Sequence, residues 1–193
     1  IKLRDVESPS ALEKMLGCLF SYTLHYGAKL KTGQIEALSD GNQLSGKIAH
    51  KVFQEVFEPG RHPQPDEARK MAAEAVERIL PKYAATLLES EQRWVVAEMS
   101  ETITNAAGEY AEFLKSNKLE ILRVETEKSD SLFGATKLGG TPDHVLGENG
   151  KPTLIMDHKW GGAKYKYDGL KSGTALQLSM YSYLERSGGV FPS

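Results

Sequence analysis

The chain has only one cysteine and no long apolar run, and neither sign of charge dominates it. Because Cys18 has no second cysteine to pair with, an internal disulfide framework is excluded. No stretch is long and apolar enough to cross a bilayer, so we expect no membrane partner and a reducing, cytoplasmic setting. The formal net charge of -2 shows no global excess of positive charge, so any surface that binds nucleic acid must be local.

The length of 193 residues fits one compact domain, and a hydrophobic content of 40% is enough to form a core. We find no internal repeat and no low-complexity tract. The chain begins at Ile1 rather than methionine and ends at Phe191-Pro192-Ser193, which is consistent with an excerpt of a longer protein.

Helical patterns dominate the first two thirds of the chain. Ser8-Pro9-Ser10 predicts the start of a first helix, in which Ser10 and Glu13 have capping-box spacing. The face that we expect this helix to bury consists of Leu12, Met15, Leu16, Leu19 and Phe20. A polar stretch from Lys31 to Gly41 predicts a loop.

A second helix is predicted from Leu44, through His50, to the Glu58-Pro59-Gly60 stop. The following sequence is rich in Ala, Glu, Leu, Lys and Arg, which predicts a helical insert at about 60–118. A last helix is predicted from Ser172 onward.

Three strands are expected at about 119–127, 132–146 and 153–159. Asn149-Gly150 predicts a tight hairpin turn between the second and the third strand. We therefore expect an α/β core in which a small mixed β-sheet is flanked by helices.

Two short acidic motifs stand on the two strands of this hairpin, namely Thr141-Pro142-Asp143 and Asp157-His158-Lys159. Side chains alternate along a strand, so Asp157 and Lys159 should point to one face, where Asp143 can approach. Two adjacent carboxylates repel each other, and a hard divalent cation relieves that repulsion. A lysine beside the cation can orient the attacking water and stabilise a phosphate transition state.

Pro142-Asp143 and Asp157-His158-Lys159 resemble the paired motifs of the PD-(D/E)xK nuclease superfamily. Gly46-Lys47-Ile48-Ala49-His50 is similar to the helix of RecB-type and AddB-type nucleases that contributes a metal-binding histidine. Gln177-Leu178-Ser179-Met180-Tyr181 resembles their Q-x-x-x-Y motif, and the segment from Ser8 to Phe20 resembles the start of their nuclease domain. The resemblance covers most of the chain in the family order and implies a restriction-endonuclease-like core.

The resemblance implies a role for each matching residue. His50, Asp143, Asp157 and the backbone carbonyl of His158 would bind the metal, and Lys159 would be the catalytic lysine. Two carboxylates and one imidazole suit Mg²⁺ or Mn²⁺ better than Zn²⁺. The catalytic set implied by the resemblance is Asp143, Asp157, Lys159, Gln177 and Tyr181, with Gln177 and Tyr181 supporting the substrate or the active site.

The implied activity is metal-dependent hydrolysis of DNA, as an exonuclease acting on single-stranded or duplex ends in DNA repair or recombination. A helicase or a recombination protein is a further partner consistent with that activity. The basic and aromatic segment after the lysine predicts DNA contacts, because cations pair with phosphates and rings stack on bases. Its residues are Trp160, Lys164, Tyr165 and Lys166. Glu125, which ends the first predicted strand, is a weaker acidic candidate.

Other interpretations stay open at this point. Asp157 and Lys159 fit an ordinary ion pair on a strand, and His50 fits a hydrogen-bonded core histidine. A catalytically silent nuclease fold that binds DNA or a partner is the main alternative, and a helical interaction protein is the third. AddB-type nucleases also hold an iron-sulfur cluster, which Cys18 alone cannot close. Either the other cysteines lie outside this sequence or the chain belongs to a cluster-free branch.

Overall fold

A computed structural model describes residues 4–30, 41–83, 93–133, 136–173 and 175–186. In chain order the elements are β1 (Val6–Glu7), α1 (Pro9–Gly17), α2 (Leu19–Tyr22), a π-helical turn (Thr23–Gly27), α3 (Gly41–Val56), α4 (Pro65–Tyr83), α5 (Arg93–Ser116), β2 (Glu120–Val124), β3 (Lys128–Phe133), β4 (Thr136–Gly140), β5 (His144–Glu148), β6 (Lys151–Met156), α6 (Ala163–Lys171) and α7 (Gln177–Arg186).

The described residues form two compact units. The first unit takes its residues from 1–37, 125–142 and 162–193, and the second unit takes its residues from 38–124 and 143–161. Within the described part of the chain, no helix has the length and apolar character that a membrane crossing requires.

Helices α3, α4 and α5 supply most of the core of the second unit. Ile48, Val52 and Val56 are buried at the predicted helical spacing, which confirms the second predicted helix. On α4 the residues facing the core are mostly small: Ala68, Ala72, Ala75, Val76, Ile79 and Leu80. Small side chains allow the helix axes to approach closely, and α4 packs against α5.

The second unit also contains an antiparallel sheet with the strand order β2-β5-β6. The β5–β6 hairpin pairs His144 with Met156 and Val145 with Ile155. Its turn is Asn149-Gly150, with φ angles of 52° and 74°, as a two-residue turn with two left-handed positions requires. The hairpin predicted from the sequence is confirmed.

The first unit contains a mixed sheet with the order β1-β4-β3, in which β1 runs parallel to β4 and β3 runs antiparallel to it. Helix α7 covers this sheet by packing Met180 and Leu184 against Leu138. The α/β class with small sheets flanked by helices is therefore confirmed, with two three-stranded sheets.

The prediction of one continuous buried face from Leu12 to Phe20 is wrong. The helix cap is Ser8, whose hydroxyl accepts the backbone N–H of Ala11 at 3.3 Å. Helix α1 ends at Gly17, and Cys18 is extended, so the periodicity is interrupted. Leu16, Leu19 and Phe20 are consequently exposed, at 71%, 49% and 71%.

The expected strand 132–146 is also wrong, because its residues belong to β3, β4 and β5. Pro142 lies between β4 and β5, and a proline has no N–H to donate to a sheet. Strand β6 ends at Met156, so Asp157 and Lys159 lie beyond the strand that was expected to hold them. The predicted loop from Lys31 lies outside the described residues, except for Gly41, which begins α3.

A buried carboxylate anchors the start of the first unit. Glu7 is 1% exposed and accepts hydrogen bonds from the Arg4 backbone N–H at 3.1 Å, the Arg4 guanidinium at 2.8 Å and the Tyr22 hydroxyl. Burial alone raises the pKa of Glu7, but the hydrogen bonds from Arg4 and Tyr22 outweigh burial and leave the pKa below its ordinary value of 4.5.

The lowered pKa of Glu7 predicts a loss of stability in acid. Between the folded and the unfolded pKa, the unfolded chain binds the proton more readily than the folded chain, so the free energy of unfolding decreases as pH falls. Urea unfolding between pH 7 and pH 3 should show a smaller pH dependence for Glu7→Gln than for the unmodified chain. Glu101→Gln, at an exposed position of α5, should retain the original dependence. An unchanged pH dependence in Glu7→Gln would contradict this assignment.

Candidate functional site

The two acidic motifs meet at the open end of the β5–β6 hairpin. His144 and Met156 are the last paired positions. Asp143 directly precedes β5, and Asp157 directly follows β6. Their side chains are largely buried, with 14% of Asp143 and 9% of Asp157 exposed. The approach of Asp143 and Asp157 predicted from the sequence is thus present in the second unit.

Three contacts define the position of the two carboxylates. The backbone N–H of His158 donates to Asp143 Oδ2 at 2.6 Å, and His50 Nδ1 on α3 lies 3.5 Å from Asp143 Oδ1. Lys159 Nζ lies 2.6 Å from Asp157 Oδ2. One-third of the lysine side chain and of the imidazole remains exposed, at 34% and 30%. The site therefore has two carboxylates, an imidazole and an amine that solvent can reach.

Burial raises the pKa of the Asp143 carboxyl above its ordinary value. Electrostatic attraction to His50, the hydrogen bond from His158 and the charge of Lys159 oppose this rise, while the negative charge of Asp157 adds to it. The net direction is upward. The positive charge of Lys159 is thus not enough to offset the burial of Asp143. A further positive charge near the two carboxylates would stabilise their ionised forms.

These residues fit a divalent metal ion. Asp143 and His50 each offer a ligand atom in a position where a metal ion could bind both. Carboxylate oxygens are the ligands that hard cations such as Mg²⁺ and Mn²⁺ prefer, and an imidazole is compatible with Mn²⁺. Glu125 follows β2 directly, after Val124, which pairs with His144. Glu125 itself belongs to the first unit.

A cluster of aromatic rings and histidines underlies the site, and the sequence did not point to it. His144 is 1% exposed, and its Nδ1 lies 2.7 Å from the Tyr110 hydroxyl and 3.2 Å from His158 Nε2. Phe53 of α3 contacts the His158 ring, with 4.7 Å between ring centroids. The only sequence signal for His144 is that it directly precedes the apolar residues Val145 and Leu146. In the structure these residues are buried in β5, which is the central strand of its sheet.

Both histidines of this cluster are neutral at physiological pH. Burial lowers the pKa of His144 to about 4, with a further contribution from the nearby charge of His50. Burial also lowers the pKa of His158 to about 3, together with the charges of His144, His50 and Lys159. Neutral rings avoid the cost of burying charge, which is consistent with the burial of both histidines.

Trp160 follows the lysine and packs against the core of the second unit. Gly46 on α3 faces it closely, because a Cβ added at Gly46 would lie 3.3 Å from Trp160 Cβ. Helix α3, which carries His50, is thus closely packed against Trp160, the residue after Lys159. The packing leaves Trp160 half-buried.

The other predicted DNA contacts lie on α6 in the first unit, a helix that the sequence interpretation did not include. The side chain of Lys164 is exposed, whereas the side chains of Tyr165 and Lys166 lie outside the described residues. Gln177 and Tyr181 also belong to the first unit, on α7, where the Gln177 amide donates to the Tyr181 hydroxyl at 3.1 Å. Gln177 and Tyr181, one turn apart on α7, are therefore joined by a hydrogen bond.

Gln177 and Tyr181 line a cavity of about 430 Å³ within the first unit. The hydroxyl-bearing residues Ser8, Ser10 and Thr141 line it as well. Gly140 allows Tyr181 to reach this position, because a Cβ at Gly140 would lie 2.5 Å from Tyr181 Cε1. The cavity contains both polar and apolar lining and is large enough for a small ligand or part of a larger one.

Residues 7–191 match the family profile described as the PD-(D/E)XK nuclease superfamily. The chain belongs to this superfamily. Membership implies metal-dependent nuclease chemistry with DNA as the substrate, and it confirms the restriction-endonuclease-like fold expected from the sequence. A comparison with curated proteins gave no match.

The hydrogen bond between Tyr110 and His144 predicts a measurable contribution to stability. Tyr110→Phe removes the hydroxyl but keeps the ring, so we expect the free energy of unfolding to fall by about 1 kcal/mol. Tyr167→Phe serves as the control, because Tyr167 is 63% exposed. Urea unfolding monitored by circular dichroism measures both. Equal midpoints for Tyr110→Phe and the unmodified chain would show that this hydrogen bond does not contribute.

Proposed function

We propose that the chain is a RecB-type DNA exonuclease of repair or recombination that hydrolyses phosphodiester bonds with Mg²⁺ or Mn²⁺. The observation that carries this proposal is the cluster in the second unit, where His50 lies next to Asp143 and Lys159 lies next to Asp157. Asp143 and Asp157 would bind the metal together with His50 and the backbone carbonyl of His158. This donor set fits a hard divalent cation that binds nitrogen and oxygen ligands.

A bound divalent cation supplies positive charge, which stabilises the negative charge that develops on the phosphate during hydrolysis. The chain's own contribution is to position the reacting groups. Lys159 donates hydrogen bonds from a partly exposed ammonium group, which can orient the attacking water and bind a phosphate oxygen. Asp157 holds that ammonium group in place, and the backbone N–H of His158 fixes the orientation of Asp143.

The residues of the first unit have supporting roles in this proposal. Gln177 and Tyr181 would contact the substrate, since both line a cavity with polar groups. Lys164, Tyr165 and Lys166 would bind DNA, as would Trp160 of the second unit. Glu125 stays a weaker acidic candidate. A helicase or a recombination protein would be the partner, in a reducing, cytoplasmic setting consistent with the single Cys18.

The proposal predicts metal-dependent degradation of linear DNA from its ends. End-labelled linear DNA and a closed circle of the same sequence should be incubated with Mg²⁺, with Mn²⁺ and with a chelator. We expect loss of the linear DNA with either metal, no reaction with chelator, and an intact circle. Nicking of the circle would overturn the exonuclease assignment and leave an endonuclease.

Substitution of Lys159 tests the catalytic assignment. Lys159→Ala should reduce kcat by about 100-fold or more, because it removes a donor that acts on the developing charge. Lys151→Ala removes an exposed lysine at the start of β6 and should retain full activity. Metal binding, measured by calorimetry, should persist in Lys159→Ala and weaken in Asp157→Ala. The alternative is a catalytically inactive binding module. It would be supported if Asp157→Ala and the unmodified chain bind metal and DNA equally and if neither of these two proteins cuts DNA.

A further inference from the structure

A groove between α3 and α4 lies outside the metal-binding residues. Its volume is about 320 Å³, and it is lined by Lys51, Gln54, Glu55, Arg78, Ile79, Lys82 and Tyr83. All of these residues belong to the second unit, as do His50, Asp143, Asp157 and Lys159. The groove is open to solvent along two helices that pack against each other.

The groove carries an excess of positive charge in a chain whose formal net charge is -2. Lys51, Arg78 and Lys82 contribute three cations, and Glu55 contributes the one carboxylate. Arg78 forms an ion pair with Glu55, which fixes the guanidinium group in the groove. This is the kind of local basic surface that an acidic protein needs in order to bind a polyanion.

Tyr83 gives the groove an aromatic component. It is 54% exposed at the end of α4, and Lys51 Nζ lies 4.4 Å from its ring centroid. A cation over an aromatic face is held by electrostatic attraction to the ring. Tyr83 therefore keeps the Lys51 ammonium group in place, so less conformational freedom is lost when an anion binds.

The groove is close to the proposed metal ligand His50 along α3. Lys51 is the next residue, and Gln54 follows His50 by four residues, one turn along the same helical face. Lys47, which is exposed, precedes Lys51 by one turn. The α3 residues of the groove thus lie roughly 1.5–7.5 Å along the helix axis from the position that carries His50.

We propose that the α3–α4 groove binds the sugar-phosphate backbone of the DNA substrate, with Lys51 and Lys82 as the phosphate contacts. This inference rests on the proposed nuclease function. The groove and the proposed metal ligands belong to the same unit. It adds a binding surface that is distinct from the segment after Lys159. DNA fits the groove better than an acidic protein does, because its phosphates repeat regularly along a continuous strand.

The double variant Lys51→Gln/Lys82→Gln tests this surface. Binding of a fluorescent 30-nucleotide DNA strand and of the matching duplex is measured by anisotropy in chelator, at several salt concentrations. We expect Kd to rise about tenfold at low salt. The slope of log Kd against log salt should become shallower by roughly 1.4 for the single strand and roughly 1.8 for the duplex.

A matched control separates this groove from a general effect of charge. Lys70→Gln/Lys115→Gln removes two exposed lysines from α4 and α5 and should leave both Kd and the salt slope unchanged. Urea midpoints for both double variants confirm that each one folds. In the cleavage assay with Mg²⁺, the groove variant should show a higher KM with an unchanged kcat, because the groove binds the substrate but does not contact the reacting atoms.

The possible outcomes distinguish this inference from the proposed function. Equal Kd values and salt slopes in the groove variant and the unmodified chain would overturn the groove assignment, even if the chain cuts DNA. Absence of any DNA binding by the unmodified chain would overturn it as well. Tighter binding of an RNA strand of the same sequence would assign the groove to RNA instead. If the groove variant loses DNA binding and no protein cuts DNA, the groove assignment stands and the nuclease proposal fails.

Discussion

The hydrogen bond from the His158 backbone to the Asp143 carboxylate is the contact on which the site depends. It joins the two ends of the β5–β6 hairpin at 2.6 Å, directly beyond the last paired residues. A shift of the hairpin by one residue would move every side chain to the opposite face and separate the two acidic motifs. The Asn149-Gly150 turn prevents that shift, because both of its residues have the left-handed φ angles that a two-residue turn needs. The turn at one end of the hairpin thus determines the register that brings Asp143 and Asp157 together at the other end.

The cluster beneath the carboxylates links this hairpin to the helices. Tyr110 on α5 and Phe53 on α3 both contact His158, with 5.0 Å and 4.7 Å between ring centroids. His144 forms a hydrogen bond with Tyr110 and directly follows Asp143 in the sequence. The packing of the helices and the geometry of the proposed metal site consequently depend on the same residues. Substitution of Phe53 or Tyr110 should therefore affect the proposed site through the orientation of His158, although neither residue is itself a proposed metal ligand.

The sequence predicted the hairpin, the second helix and the approach of Asp143 to Asp157 from local signals, whereas the place of His50 beside them was implied by the family resemblance. Asn149-Gly150 is a strong turn dipeptide, and Ile48, Val52 and Val56 follow a regular helical spacing. The predictions from the sequence were wrong where the structure depends on the interruption of a helix or on tertiary contacts. The extended backbone at Cys18 interrupts a helix whose apolar spacing continues past it, so Leu16, Leu19 and Phe20 are not buried. His144 has no local pattern that distinguishes it, since its role comes from Tyr110 on a distant helix.

The close approach of Gly46 to Trp160 has a consequence for how this superfamily member can vary. The two positions are far apart in the sequence, yet they share one small volume between α3 and the chain that follows Lys159. A larger side chain at position 46 is tolerated only if the residue at position 160 becomes smaller or shifts. The two positions should therefore change in concert among relatives of this chain. Such covariation would mark the spacing between the histidine helix and the lysine segment as a quantity under selection.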